Sequence, residues 1–270
     1  MQYLLLLHTL NGKRSIKLLN KSKIKTISFF ENKDILKIKK LKIQGLCNTN
    51  YKITTKNKSY ILRVFKSNKS VNISREFEYQ VQKKAFLKNI SPKAYFFDIK
   101  NGFLISKYIK GKHKDTLSKK DLKALIKSIK KIHNLNMNSK VYDFYKDLDY
   151  YSNKLKDEKS KKALKKLRKE LLKLSTLKKE LALCHHDLNT KNIIFSKKNR
   201  IKIIDWEYAG VNDIFFDLAT ICVEYNLSKK KERLLLKYYF NKNTQSKYQK
   251  LLSYKKVYKL LCFLWFRNNL

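Results

Sequence analysis

Two polar stretches decide the fold of this chain, Cys184-His185-His186-Asp187-Leu188-Asn189-Thr190-Lys191-Asn192 and Ile203-Ile204-Asp205-Trp206-Glu207-Tyr208. Between them lie an apolar segment at 193–195, a polar turn at 196–200 and a second apolar segment that begins at residue 201. Short apolar runs around a polar turn are typical of a β-hairpin. The polar side chains are therefore predicted to lie on a loop and at the ends of two short strands.

Three interpretations of this cluster compete. A transition-metal site fits poorly, because neighbouring residues of an extended segment point in opposite directions and no pair has the spacing of H-E-x-x-H. Satisfied core groups are the second interpretation, although two aspartates around one strand pair would need a shared counter-ion. Phosphoryl transfer is the third, because it needs one carboxylate to orient a hydroxyl and a second carboxylate with an amide oxygen to hold Mg²⁺. Asp187, Asn192 and Asp205 supply these groups in that order.

The same residues resemble the motifs of a known family. The pattern H-x-D-x-x-x-x-N at 185–192 and the sequence I-D-W-E-Y-A-G at 204–210 are similar to the catalytic loop and metal-binding strand end of choline and ethanolamine kinases. These enzymes share the protein-kinase-like superfamily with aminoglycoside phosphotransferases. Further similar segments extend over most of the chain, at residues 44–51, 61–64, 72–78, 102–106 and 212–219. The resemblance implies an ATP-dependent phosphotransferase with a small alcohol as acceptor.

This resemblance implies an α+β fold of the two-lobed, protein-kinase-like type. A small β-rich N-terminal lobe for nucleotide binding is expected over residues 1–108, and a larger, mainly helical C-terminal lobe for catalysis and acceptor binding over 109–270. Hydrophobic periodicity agrees with this division. The predicted strands lie at 23–29, 50–54, 60–65, 94–97, 103–105, 181–184, 193–195 and 201–204, and the predicted helices lie around 77–85, 118–134 and 155–180 and from 215 onward.

The resemblance also implies roles in catalysis and metal binding. Asp187 would be the catalytic base or the carboxylate that orients the hydroxyl. His185, at the start of the motif, is placed with Asp187 among the catalytic residues, although a structural hydrogen bond is the commoner role of such a histidine. Asn192 and Asp205 would be Mg²⁺ ligands, and Glu207 would contact a second metal ion through water.

For the nucleotide, the resemblance implies residues of the N-terminal lobe. Asn48 and Asn50 lie in the segment similar to the nucleotide loop of choline kinases and would bind ATP. Arg63 would meet the ATP phosphates and form an ion pair with Glu78, with Glu76 as the fallback partner. ATP and Mg²⁺ are therefore the expected cofactors.

The acceptor is predicted to be choline, with ethanolamine as a close rival. A quaternary ammonium cannot donate hydrogen bonds, so its site needs aromatic faces and carboxylates. Tyr208 and Glu224 stand where choline kinases carry choline-pocket residues. The C-terminal segment resembles the terminal W-x-x-W helix of the family, with Trp265 at the second tryptophan and Cys262 at the first. This departure leaves the aromatic cage one ring short.

Acidic residues are scarce after Asp217, which the resemblance assigns to bracing the catalytic loop. Only Glu224 and Glu232 follow it. An aminoglycoside kinase should line its acceptor lobe with several carboxylates, because its substrates are polycations. One small monocation is therefore favoured over a large polycation. Thiamine and sugars are less favoured acceptors than choline and ethanolamine.

The formal net charge of +43 suggests a nucleic-acid partner at first sight. However, only seven of the 64 basic residues are arginine, the residue that base and bidentate phosphate recognition favours. The lysine-rich segment at 155–180 contains no aromatic residue for base stacking, and its leucines form a seam that is typical of a helix with one solvated face. A nucleic-acid-binding pseudokinase is therefore the less favoured alternative, and a lysine-heavy background explains most of the charge.

Cysteine spacing and hydropathy bear on the compartment. The four cysteines are far apart and form no C-x-x-C pair, so a zinc ribbon or disulfide scaffold is not expected. The apolar run near the start is too short to span a bilayer, and no small-residue cleavage site follows it. The sequence predicts a cytoplasmic protein without a transmembrane segment and leaves the oligomeric state open, a homodimer included.

Overall fold

The computed structural model describes residues 19–42, 48–66, 73–196, 200–241 and 244–269, and their strands form one five-stranded sheet and two short pairs. The strands are β1 (Ile35–Lys40), β2 (Asn48–Thr55), β3 (Ser59–Phe65), β4 (Ala94–Asp98), β5 (Phe103–Lys107), β6 (Leu181–Cys184), β7 (Ile193–Phe195), β8 (Ile201–Ile203) and β9 (Gly210–Asp213). The helices are α1 (Lys21–Lys25), α2 (Arg75–Leu87), α3 (Lys119–His133), α4 (Phe144–Lys154), α5 (Glu158–Ser175), α6 (Phe215–Glu224), α7 (Lys229–Phe240) and α8 (Gln245–Asn269), with 3₁₀ turns at Ser28–Phe30 and Thr190–Asn192. The predicted nucleotide segment at 44–47 and the start of the 72–78 segment lie outside the described residues.

The N-terminal sheet has the strand order β1-β2-β3-β5-β4, with all neighbours antiparallel. As the period-two pattern predicted, β2 alternates buried and half-buried side chains and returns through a tight turn as β3. In the register of this hairpin Asn50 lies directly opposite Arg63. Directly opposite residues share one face of a sheet, and both of these line the cavity between the lobes.

The predicted strand at 23–29 is wrong, because this segment is helical. The side chain of Asn20 accepts a hydrogen bond of 2.9 Å from a backbone N–H of α1 and so caps the helix. Ile24, Ile27 and Phe30 are buried, and they follow one another at intervals of three residues. This spacing buries one side of successive helical turns, whereas a strand would bury every second residue.

Side-chain caps begin two helices that the periodicity predicted. Ser74 accepts a hydrogen bond from a backbone N–H in the first turn of α2. At the start of α3, Ser118 and Asp121 form a capping box, in which each side chain accepts a hydrogen bond of 3.1 Å from the other residue's backbone N–H. The apolar stripe of α3 is buried as predicted and comprises Leu122, Leu125, Ile126, Ile129 and Ile132.

The C-terminal lobe is built around α5, α6 and α8. The predicted leucine seam of α5 is buried, and α5 and α6 both pack against the long helix α8. β6 pairs with β9 and β7 pairs with β8, so the loop after β6 and the segment after β8 emerge close together. Among the described helices, none has the length and apolar content that crossing a bilayer requires.

The connection between the lobes runs close to the catalytic hairpin. Lys112 pairs with Phe195 of β7 through two backbone hydrogen bonds of 2.9 Å. A Cβ atom at Gly111 would lie 2.7 Å from the Phe195 carbonyl oxygen, so this approach requires glycine. The buried apolar residues form two clusters, one within the N-terminal sheet and one that joins α2 to the C-terminal helices. The domain limit at residue 108 stays a prediction.

Truncation of the leucine seam should destabilise the protein. Leu167 is 0% exposed in the core between α5 and α8, so Leu167→Ala should lower the free energy of unfolding by about 2–5 kcal/mol in urea denaturation. Leu172 lies on the same helix and is 57% exposed, so Leu172→Ala should change the free energy by less than about 0.5 kcal/mol. Equal losses for the two variants would contradict the packing described for α5.

Candidate active site

A cavity of about 1220 Å³ lies between the two lobes and contains most of the predicted site residues. Its lining includes the following predicted residues: Asn48, Asn50, Arg63, Asp187, Asn192, Asp205, Glu207, Tyr208, Glu224 and Trp265. Three predicted residues, Glu78, His185 and Asp217, lie behind this lining. The structure thus brings together residues from β2, β3, the catalytic loop and the C-terminal helices.

The carboxylate of Asp217 holds the start of the catalytic loop. Its two oxygens accept hydrogen bonds of 2.9 Å from the backbone N–H groups of His185 and His186. His133 lies 3.2 Å from the same carboxylate. Burial acts to raise the pKa of Asp217, but the hydrogen bond from His133 and the nearby N–H groups lower it overall. The ionised carboxylate therefore stabilises a loop in which His186 adopts a left-handed backbone with φ of 65°.

His185 is fully buried, and its side chain does not reach the cavity. Its Nε2 lies 3.1 Å from the carbonyl oxygen of Ile204, and its ring packs against Trp206 with 4.6 Å between ring centroids. Burial lowers the pKa of His185 to about 4, so the imidazole is neutral. The sequence left a catalytic and a structural role open for His185. These contacts favour the structural hydrogen-bonding role.

Asp187 points into the cavity and is held by two amide side chains. Asn189 Nδ2 donates to Oδ1 at 2.9 Å, and Asn192 Nδ2 donates to Oδ2 at 2.7 Å. Asn192 also donates to the Asp187 backbone carbonyl at 2.9 Å. Burial raises the pKa of Asp187 to about 6, and Glu207 and Glu224 act in the same direction. A fixed carboxylate with this pKa suits the acceptance of a hydroxyl proton.

Asp205 lies next to the catalytic loop, because the backbone N–H of Ile204 donates to the Asn192 carbonyl at 3.0 Å. Asp205 has a left-handed backbone with φ of 68°, and its Oδ1 lies 2.6 Å from Arg63 Nη2. Within the described residues this buried oxygen accepts no well-aligned hydrogen bond. Burial raises the pKa of Asp205 to about 8, although Arg63 acts the other way.

The donor set around Asp205 fits Mg²⁺. The ion prefers oxygen ligands, which the Asp205 carboxylate and the Asn192 side-chain amide supply. Asp205 Oδ1 is ion-paired with Arg63 but accepts no well-aligned hydrogen bond from the described residues, so it keeps a lone pair that a cation would use. A bound cation would also keep Asp205 ionised, because it offsets the cost of burial.

Arg63 belongs to a buried ionic network that also contains Arg75, Glu78 and Glu207. Arg63 forms the expected ion pair with Glu78 and a second one of 2.7 Å with Glu207. Arg75 contacts the same two carboxylates at 2.8 and 2.7 Å. Burial opposes the charge of Arg63, but Asp205, Glu78 and Glu207 together raise its pKa. The network thereby joins β3 and α2 to the segment after β8.

Glu76, the fallback partner, is not part of this network; its side chain lies 3.4 Å from the Ser74 hydroxyl. Arg75 is a member of this network that the sequence did not single out, although the segment 72–78 that resembles the family contains it. Asn48 is 2% exposed and donates to Glu207 at 3.0 Å, so it supports the network as well as lining the cavity. One oxygen of Glu207 already accepts hydrogen bonds from Arg63 and Arg75. The second-metal role of Glu207 stays a prediction.

The other end of the cavity is aromatic and carries two carboxylates. Glu224 Oε1 accepts a hydrogen bond of 2.9 Å from the Tyr258 hydroxyl. The second carboxylate is Asp147 of α4, which the sequence analysis missed together with the aromatic residues around it. The aromatic lining comprises Tyr142, Tyr150, Tyr151, Tyr208, Phe216, Tyr258, Trp265 and Phe266. The segment 142–151 is rich in acidic and aromatic residues, and this composition is the sequence signal that could have predicted the acidic, aromatic wall.

The class of protein follows from the groups that each lobe contributes to the cavity. One lobe presents an arginine anchored by a helix glutamate, and the other presents a loop carboxylate with an adjacent oxygen-ligand pair. This division is that of protein-kinase-like phosphotransferases. The α+β, two-lobed fold predicted from the sequence is confirmed.

Comparison with known proteins defines the family. The sequence profile described as choline/ethanolamine kinase matches residues 39–260. The chain therefore belongs to the choline/ethanolamine kinase family, as the motif resemblance predicted, and is a small-molecule kinase. Protein LicA of Haemophilus influenzae is 26% identical over 243 residues, which cover 83% of this chain and 71% of that protein.

Solved structures agree on the fold. The choline kinase LicA from Streptococcus pneumoniae has a TM-score of 0.78 and 22% identity, and the match covers 91% of this chain and 89% of that one. A structure of LicA in complex with AMP has a TM-score of 0.72 and 23% identity, and the match covers 91% and 88% of the two chains. At these identities the likeness shows a shared architecture.

Removal of Arg75 should destabilise the protein strongly. Arg75→Met leaves Glu78 and Glu207 buried with Arg63 as their remaining arginine partner, so the free energy of unfolding should fall by about 3–5 kcal/mol in urea denaturation. Arg168 lies on the exposed face of α5, and Arg168→Met serves as the control. A loss no larger than that of the control would contradict the role assigned to the network.

Asp147 should make the stability depend on pH. Burial raises its pKa from 3.8 to about 7, with a hydrogen bond from Tyr142 opposing and the nearby Asp143 adding to the shift. As the pH rises, the unfolded chain therefore loses this proton at a lower pH than the folded protein does. Stability is lost as the pH rises toward 7. The gain in unfolding free energy from Asp147→Asn should be larger at pH 8 than at pH 5 by about 2–3 kcal/mol. The exposed Asp149→Asn on the same helix should show no such change; an identical pH profile for both variants would contradict the burial of Asp147.

Proposed function

We propose that this protein transfers the γ-phosphoryl group of ATP to the hydroxyl of a small cationic amino alcohol. The observation that carries this proposal is the position of Asp187. Its carboxylate lies in the cavity beside Asn192 and Asp205, and Glu224 of the aromatic end is close enough to influence its pKa. A hydroxyl bound at the aromatic end would therefore meet a proton acceptor next to the nucleotide phosphates.

The proposed reaction is a direct displacement at phosphorus. The acceptor oxygen forms a bond to the γ-phosphorus, the bond from this phosphorus to the bridging oxygen breaks, and ADP leaves with the electron pair. Asp187 takes the hydroxyl proton. Arg63, held by Glu78, binds the phosphates, and Asn50 lies beside it on the same face of the sheet.

Asn192 and Asp205 would hold Mg²⁺ in this reaction, and Glu207 remains the candidate for contact with a second ion. The ion supplies positive charge that offsets the charge of the phosphate oxygens. The protein contributes the hydrogen bonds that fix both ligands. Asn192 is fixed by its two bonds to Asp187, and Asp205 by its ion pair with Arg63.

Choline is the acceptor that the sequence predicts, and the aromatic end of the cavity supports it. Tyr208 and Trp265 offer ring faces for methylated nitrogen, and Glu224 offers a counter-charge. Ethanolamine is the second candidate, and one observation favours it. Asp147 adds a buried carboxylate whose Oδ2, within the described residues, accepts no hydrogen bond.

An assay of ADP release tests this function over choline, ethanolamine, thiamine and kanamycin with Mg²⁺ and ATP. At least one amino alcohol should stimulate release well above the acceptor-free background. Asp187→Asn keeps the size of the side chain but removes its basic carboxylate, so kcat should fall by about 10²–10⁴-fold. Asp149→Asn, on an exposed part of α4, should keep the wild-type rate. No stimulation by either amino alcohol, or an unaltered rate for Asp187→Asn, would refute the proposal.

A further inference from the structure

Asp147 is a buried carboxylate in the wall of the cavity, and one of its oxygens has no hydrogen-bond partner among the described residues. Its side chain belongs to α4 and is 4% exposed. The hydroxyl of Tyr142 donates a hydrogen bond to the carboxylate, while Oδ2 accepts none from the residues that the structure describes. Buried acceptors almost always have a partner, so this atom requires an explanation.

Among the residues that the structure describes, the surroundings of Asp147 contain no compensating cation. The charged side chain that acts on it is Asp143, another carboxylate, and no lysine or arginine of the described chain forms an ion pair with it. Burial raises its pKa to about 7, which reflects the cost of an uncompensated charge in this wall. A cation that enters the cavity would remove this cost.

Asp147 faces the same end of the cavity as the predicted acceptor residues. Burial raises the pKa of Tyr151, and Asp147, Tyr208 and Cys262 add to this shift, so all three lie near its hydroxyl. Burial raises the pKa of Cys262, a hydrogen bond with Tyr258 lowers it, and Glu224 raises it further. Asp147 and Glu224 both line this cavity. Glu224 already accepts the Tyr258 hydroxyl, whereas the buried Oδ2 of Asp147 accepts no hydrogen bond from the described residues.

We propose that Asp147 Oδ2 accepts a hydrogen bond from an ammonium N–H of the acceptor alcohol, so that amino alcohols with an N–H are preferred over quaternary ones. This inference rests on the proposed function and names the chemistry of its substrate. A protonated primary amine supplies both the donor and the charge that Asp147 lacks. A quaternary ammonium supplies the charge but places a methyl group against the oxygen, which then stays without a hydrogen bond.

Steady-state kinetics over a graded series of alcohols test the inference. Ethanolamine, N-methylethanolamine, N,N-dimethylethanolamine and choline carry progressively fewer N–H groups on the same two-carbon alcohol. The wild-type protein should prefer the N–H-bearing members, with kcat/KM for ethanolamine at least about tenfold above that for choline. The largest step should fall between dimethylethanolamine and choline, where the last donor is lost.

Asp147→Asn isolates the contact. Because Tyr142 donates to one oxygen, the amide nitrogen of the variant should occupy the position of Oδ2 and present a donor instead of an acceptor. The ratio of kcat/KM for ethanolamine to that for choline should fall at least about tenfold, chiefly through KM for ethanolamine. Loss of the negative charge weakens the binding of both cationic alcohols to a similar extent, so this effect cancels in the ratio.

Two further variants guard against indirect effects. Asp149→Asn changes an exposed aspartate on the same helix and should leave the ratio unaltered. Asp147→Leu removes the acceptor without adding a donor, and it should also reduce the ratio. A cooperative thermal transition and a wild-type KM for ATP in each Asp147 variant show that the fold and the nucleotide site are intact.

The outcomes separate this inference from the proposed function. If none of the four alcohols is phosphorylated by the wild-type protein, the proposed function and the inference are both overturned. If the alcohols are phosphorylated but choline equals or exceeds ethanolamine, the inference alone is overturned. An unaltered ratio in both folded Asp147 variants likewise overturns the inference and leaves the proposed function standing.

Discussion

The ionic network around Arg63 is the interaction on which the arrangement of the two lobes depends. Arg63 and Arg75 come from the N-terminal lobe and α2, and they meet Glu207 and Asp205 from the segment after β8. Burying these charges is costly unless each has a partner, so the lobes must close in the one register that pairs them. Two guanidinium groups face three carboxylates, Glu78 included. The excess negative charge lies at Asp205, the position where a cation is expected.

The catalytic loop shows the same dependence on a few buried acids. Asp217 holds two consecutive backbone N–H groups, and this allows His186 to adopt a backbone conformation that is otherwise unfavourable. Asn189 and Asn192 then fix the carboxylate of Asp187. The overall charge of +43 plays no part in these contacts. Lysines dominate the composition, whereas the residues that we propose for the chemistry are a small number of carboxylates and amides around the cavity.

Local pattern predicted most of the secondary structure, because helix and strand periods are properties of neighbouring residues. The capped start of α3, the β2–β3 hairpin and the leucine seam of α5 all follow from such patterns. The segment 23–29 was predicted wrongly, since its few apolar residues fit either period over so short a length and the cap at Asn20 decides between them. Arg75 and Asp147 were missed for another reason. Each looks like an ordinary charged residue on a helix until packing buries it.

The sequence by itself determined which functional groups the protein possesses and their order along the chain, because H-x-D-x-x-x-x-N and the following aspartate are local motifs. It also determined the family, since similar segments recur from the N-terminal sheet to the last helix. Tertiary structure alone decided which acids have partners and which do not. Glu207 meets Arg63 across 144 positions, whereas Asp147 is buried without a lysine or arginine partner in the described part of the chain. The reason is physical: desolvation and pairing depend on the groups that packing brings into contact, and these lie far apart in the sequence.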